Sequence, residues 1–77
     1  MTNQQLAISL RRRYSEALNV LAREGEVNLD VAESYSGMAC VEIQLDCAIV
    51  RGFGRTPNEA AEGAISRAAC MCRANKA

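Results

Sequence analysis

The segment from residue 52 to residue 60, Gly-Phe-Gly-Arg-Thr-Pro-Asn-Glu-Ala, constrains the fold of this chain most strongly. Thr56 suits the position just before a helix, because its hydroxyl can accept from a free amide of the first turn. Pro57 suits the first helical position, where its missing N–H costs nothing. Glu59 comes three residues after Thr56 and completes a capping box. The segment therefore predicts that a strand ends here and a helix begins.

The helix after this corner is predicted over residues 57–74. Small apolar residues recur on one face at helical spacing: Ala60, Ala61, Ala64, Ile65, Ala68, Met71 and Cys72. The other face carries Glu59, Glu62, Ser66, Cys70 and Arg73. Because alanines are small, we expect this helix to lie close to a neighbouring element.

A first amphipathic helix is predicted over residues 4–24. Its apolar stripe consists of Leu6, Leu10, Tyr14, Ala17, Leu18 and Leu21. Gly25 is a suitable stop. Arg11, Arg12 and Arg13 resemble a basic patch, but consecutive helical residues point about 100° apart, so solvating charges are favoured over a phosphate site.

Three strands are predicted between the helices. Residues 27–33 and residues 40–45 alternate apolar and polar side chains, which is typical of half-buried strands, and the residues from Ser34 to Gly37 read as a turn. Residues 48–53 form the third strand. Gly52 and Gly54 are expected to let it leave the sheet with backbone angles that other residues avoid.

A tight connection at Asp46 and Cys47 sets the register of the second and third strands. Leu45 then faces Ala48 and Ile43 faces Val50, all inward. Three pairs face outward: Glu42 with Arg51, Gln44 with Ile49, and Cys40 with Phe53. This outer side is more apolar than a fully solvated face requires.

The predicted fold class is α+β, in the order α-β-β-β-α, with a three-stranded antiparallel sheet and two helices packed on one face. A length of 77 residues predicts a single domain, residues 1–77. No segment is apolar enough to span a bilayer and no signal peptide is recognisable, so we expect a cytoplasmic protein without membrane contact.

Charge and residue types exclude several functions. The formal net charge is +0, which gives no overall case for binding nucleic acid or anionic membrane. The charges are segregated, since residues 24–46 contain only acidic ones and both flanking regions are mainly basic. The chain has no histidine, no nucleophile beside a recognisable base and no complete phosphate-binding loop, so we expect no enzyme and no cofactor.

The four cysteines are Cys40, Cys47, Cys70 and Cys72. Without a secretion signal, reduced thiols are expected. Cys70 and Cys72 point to different sides of a helix, so their spacing argues against a zinc site, and no metal is predicted.

The order of elements, the Gly52-Phe53-Gly54-Arg55-Thr56 corner and the alanine-rich last helix resemble the double-stranded RNA-binding domain. The likeness covers residues 27–72 well and the first helix loosely. The resemblance implies RNA-contacting lysines at the start of the last helix, where this chain has Pro57, Asn58 and Ala61. It therefore implies the fold without the usual RNA surface.

These observations favour a small, non-catalytic protein-interaction module that binds another protein or a second copy of itself. The residues expected to form the interaction surface are Cys40, Glu42, Gln44, Ile49, Arg51 and Phe53. The alternative is weak or structure-specific RNA binding through Arg11, Arg12, Arg13 and Arg55. The small size is also compatible with a protein of a phage or mobile element.

Overall fold

The computed structural model describes residues 2–23, 25–46 and 48–76. Three helices and three strands follow one another in the order α-α-β-β-β-α. They are α1 (Asn3–Arg13), α2 (Ser15–Ala22), β1 (Asn28–Tyr35), β2 (Met38–Gln44), β3 (Ile49–Gly54) and α3 (Pro57–Lys76). The predicted α+β class is confirmed, but the predicted count of two helices is wrong.

The predicted first helix is divided at Tyr14, and its last turn ends at Ala22 instead of residue 24. Tyr14 has φ −107° and ψ 25°, outside the helical region. The i to i−4 hydrogen bonds continue on both sides of it, so the apolar stripe is not interrupted. The Tyr14 hydroxyl donates to Glu62 Oε2 of α3 at 3.2 Å. This contact with α3 lies at the break.

The sheet is antiparallel with the order β1-β2-β3, so β1 and β3 are its two edges. The β1–β2 hairpin turns through Ser36 (φ 52°) and Gly37 (φ 76°), and positive φ at both central residues is the requirement of a type I′ turn. The register between β1 and β2 shifts between Ala32 and Tyr35. All three outward pairs predicted between β2 and β3 are confirmed, although Cys47 lies outside the described residues.

One apolar cluster joins the helices to the sheet. Its largest fully buried side chains are Leu29, Val41 and Ile43. The other buried members are Leu10, Leu21, Val50, Ala60, Ala61, Ala64 and Ala68. The predicted apolar face of the last helix is thus confirmed. The described residues contain no buried polar or charged side chain, so the side chains of this core contribute through apolar packing.

The corner between β3 and α3 is built largely as predicted. Glu59 N donates to Thr56 Oγ1 at 3.2 Å, and Pro57 is the first helical residue. The Glu59 carboxylate accepts from the backbone N–H of Arg55 at 2.9 Å, one residue before the helix cap. The corner therefore satisfies two amides with two side chains.

The expected role of Gly52 and Gly54 is corrected by the structure. Neither residue has a positive φ, and both remain within β3. A Cβ on Gly52 would collide with the backbone O of Ala60 and the backbone N of Ala64, and a Cβ on Gly54 would collide with Glu59. These glycines are required because α3 lies directly against the strand, which is the close approach that a missing side chain allows.

Candidate interaction surface

The outer face of the sheet consists of the strand side chains that alternate with those of the core cluster. Every second pair of the β2–β3 register faces this side, and three such pairs bring the six predicted interaction residues together there. Residues of β1 extend the same rows. The described members of the outer face are Asn28, Asp30, Ala32, Met38, Cys40, Glu42, Gln44, Ile49, Arg51 and Phe53.

Among its described members, the outer face has three exposed large apolar side chains. Ile49 is 57% exposed, Phe53 is 45% exposed and Met38 is 42% exposed. Met38 is not among the predicted interaction residues, because the predicted second strand begins at Cys40, two residues after the observed start of β2. The signal was present, since Met38, Cys40 and Glu42 continue one alternation along β2. Met38 therefore adds apolar surface beyond the predicted set.

Charged side chains form a row across the middle of the outer face. Asp30 lies directly opposite Glu42, a like-charge pair that would destabilise the sheet by itself. Each carboxylate has an arginine on its other side. Arg11 Nη2 donates to Asp30 Oδ1 at 2.7 Å, and Arg51 Nε lies 3.8 Å from Glu42 Oε1. The charges across the sheet therefore follow the order positive, negative, negative, positive, and the row separates Ile49 from Phe53.

Cys40 lies on the outer face as predicted, but it does not offer the exposed surface expected of it. Its side chain is only 4% exposed. Cys40 is on the central strand, flanked in the register by Ala32 and Phe53, and neighbours on both sides remove it from water. Burial raises the pKa of its thiol above the ordinary value, the Glu42 carboxylate raises it further, and Arg51 opposes both. Cys40 therefore supports Phe53 as a protonated, apolar group.

The four arginines of the RNA alternative differ in their surroundings. Arg11 is held by β1, since its Nε donates to the Leu29 carbonyl at 2.8 Å in addition to its ion pair with Asp30. Arg12 and Arg13 are exposed at the end of α1, and the Arg13 guanidinium lies 6.0 Å from the centre of the Tyr14 ring. Arg55 is exposed but follows β3, at the opposite edge of the sheet from β1. One member of the set is thus committed to an internal contact.

Among the parts of the chain that the structure describes, no helix has the length and apolar character needed to cross a bilayer. The described residues also hold no group of three or more His, Cys, Asp or Glu side chains placed to bind a metal ion. Comparisons with protein-family models, with curated proteins and with solved structures found no match to this chain.

Proposed function

We propose that this chain is a non-catalytic interaction module that binds a protein partner, or a second copy of itself, through the outer face. The observation that carries the proposal is the exposure of Met38, Ile49 and Phe53 on one side of a single small sheet. Contact surfaces between proteins commonly combine exposed apolar side chains with a polar rim. Here Gln44, Glu42 and Arg51 supply the polar part.

The proposal includes the arrangement of the helices. We infer that they cover only the side of the sheet opposite the outer face, as in the double-stranded RNA-binding domain that the sequence resembles. Support comes from the core cluster, whose strand members Leu29, Val41, Ile43 and Val50 alternate with the outer residues. A sheet covered on one side only leaves its other side available for a partner.

RNA binding is the weaker alternative. Duplex RNA is bound mainly through its phosphates and 2′-hydroxyls, which requires several free cationic groups across one surface. The guanidinium of Arg11 already donates to the Leu29 carbonyl and the Asp30 carboxylate, and the start of α3 has no lysine. A salt titration with duplex RNA tests this alternative, because phosphate-dependent binding must weaken steeply as salt rises.

Replacing Phe53 by serine tests the proposal. We expect Phe53→Ser to weaken association by about tenfold or more, because aromatic side chains commonly carry much of the binding energy of a protein interface. Analytical ultracentrifugation over a range of concentrations measures self-association. Affinity capture from the native cell, quantified for each variant, measures association with other proteins.

Val20→Ser is the matched control. Val20 lies on α2 and is 56% exposed, so its replacement removes a similar amount of exposed apolar surface away from the strands. Both variants should retain the circular dichroism spectrum of the wild type. A monomeric wild type whose captured partners all survive Phe53→Ser would contradict the proposal and leave the RNA alternative as the better account.

A further inference from the structure

The free edge of β3 presents backbone groups that no other strand of the described residues pairs. Leu45 N donates to Ala48 O at 2.8 Å, which makes these two residues a hydrogen-bonded pair at the hairpin. Because such pairs alternate along antiparallel strands, the backbone groups of Ile49, Arg51 and Phe53 point away from β2. Arg67 confirms this direction, since its Nη1 donates to the Arg51 carbonyl at 3.2 Å from outside the sheet.

A groove runs beside this edge, between β3 and α3. Its volume is about 480 Å³. The side chains that shape it are mostly apolar or cationic, and none of its lining residues is acidic: Ile49, Val50, Arg51, Ser66, Arg67, Cys70 and Met71. An added strand would lie about 4.8 Å from β3 and would send alternate side chains toward this groove and toward the outer face.

The charges of the groove select the chemistry of such a strand. Arg51 has only a long contact with Glu42, at 3.8 Å, and within the described residues Arg67 has no carboxylate at salt-bridge distance. A strand that adds to β3 would bring its own N–H to the Arg51 carbonyl and displace Arg67 from it. The freed guanidinium is then best satisfied by a carboxylate of the incoming segment.

We propose that β3 is a strand-addition site for an extended acidic segment of a partner protein, in which glutamate or aspartate alternates with apolar residues. Backbone hydrogen bonds to Ile49, Arg51 and Phe53 provide the affinity. Arg67 selects acidic side chains on the groove side, and the apolar side chains lie beside Ile49 and Phe53 on the outer face. This is the mode in which an extended peptide extends an exposed sheet edge. The site does not depend on the proposed function of the outer face, since it uses the strand edge and the groove.

A fluorescein-labelled peptide of about eight residues in which valine and glutamate alternate serves as the probe, since that length matches an ordinary strand. Fluorescence anisotropy with the full chain measures its affinity. We expect a peptide with lysine in place of glutamate to bind at least about tenfold more weakly, because its lysines meet Arg67 in the groove. A peptide N-methylated at alternate positions should lose a comparable amount if those amides pair with β3.

Arg67→Glu is the decisive variant and Arg73→Glu its matched control. Both residues are exposed on α3 and both substitutions change the net charge equally, but only Arg67 lines the groove. We expect Arg67→Glu to weaken binding about tenfold or more and Arg73→Glu to leave it within about twofold. Equal weakening by both variants would show non-specific attraction and overturn the proposal. The proposal would also be overturned if the peptide did not bind, or if N-methylation did not weaken its binding. A second copy of the chain already paired at this edge would overturn it as well.

Discussion

The two edge strands of the sheet, β1 and β3, are protected in different ways. On β1, Arg11 makes two short hydrogen bonds, at 2.8 Å to the Leu29 carbonyl and at 2.7 Å to the Asp30 carboxylate. The β1–β2 register also shifts after Ala32, and such an irregularity discourages pairing with another strand. On this edge, a side chain of the same strand holds the arginine in place.

On β3 the protection is slighter. The register with β2 is continuous from Ile49 to Gly54, and a single 3.2 Å hydrogen bond from Arg67 covers the edge at Arg51. No carboxylate within the described residues anchors that guanidinium. Similar contacts between an arginine and an edge carbonyl can therefore have opposite consequences for strand addition. An anchored arginine closes an edge, whereas an unanchored one covers it and can be displaced.

The largest expected effect concerns how β3 is held from its inner side. Gly52→Ala should destabilise the protein by about 3 kcal/mol, because the new Cβ meets the α3 backbone, which cannot yield as a flexible side chain would. Gly63→Ala is the control, since a Cβ there meets only ordinary contacts, 3.9 Å from Gly52 Cα and 4.0 Å from Phe53 O. It should stabilise the helix by roughly 0.5–1 kcal/mol. Urea denaturation measures both, and a tolerated Gly52→Ala would contradict the close packing of β3 on α3.

The second prediction addresses the two arginines directly. Arg11→Ala should destabilise the protein by about 1 kcal/mol. This is the usual contribution of a charged hydrogen bond, reduced because the pair is partly exposed to solvent. Arg67→Ala should change stability by less than about 0.5 kcal/mol. Chemical denaturation of both variants provides the comparison. An equal loss of stability in both variants would show that Arg11 and Arg67 are held equally firmly at their edges.

The cap at the end of β3 gives a third, similar effect. Thr56→Ala should destabilise by about 1 kcal/mol, because Glu59 N loses its acceptor at the start of α3. Thr2→Ala is a useful counterpart at α1, where Gln5 N donates to Thr2 Oγ1. An unchanged denaturation midpoint in Thr56→Ala would mean that the corner does not depend on its cap.

The register of the outer face and the corner could be predicted because they depend on neighbours in the sequence. A tight hairpin fixes which residues of β2 and β3 face each other, and the Thr56 cap sets the start of α3. The Arg67 contact with the Arg51 carbonyl joins residues on different elements, and no local pattern encodes it. The sequence could therefore place the residues of the outer face side by side, but it could not reveal the edge of β3 with its groove.

Two other differences between prediction and structure depend on packing between elements, which a sequence pattern does not show. Alternation places Cys40 on the outer face, but its burial depends on the sizes and positions of Ala32 and Phe53 beside it. The apolar stripe of the first helix is continuous, and the break at Tyr14 accompanies a contact with α3. Glycine in a sequence signals either unusual angles or close approach, and only the position of α3 shows that Gly52 serves the latter.

The smallest predicted effect concerns the thiols. In a Cys47→Ser background, alkylation should be fastest at exposed Cys70, slower at half-buried Cys72 and slowest at buried Cys40. Folding raises the pKa of the Cys40 thiol. The protonated thiol therefore contributes fully to stability below the ordinary thiol pKa of 9.0, and this contribution is lost as the pH rises through the raised pKa. Cys40→Ala should lack that part of the alkaline destabilisation. Fast alkylation of Cys40 in the native state would contradict its burial.

The most direct test of the difference between the two edges is a titration of the isotope-labelled full chain with the alternating valine–glutamate peptide, followed by amide chemical shifts. Binding by strand addition should shift the amides of Ile49, Arg51 and Phe53 and those of α3 from Arg67 to Met71. The amide chemical shifts from Asn28 to Ala32 should remain unchanged, because the anchored Arg11 closes that edge. Shifts concentrated on β1, or shifts spread equally over both edges, would contradict the account.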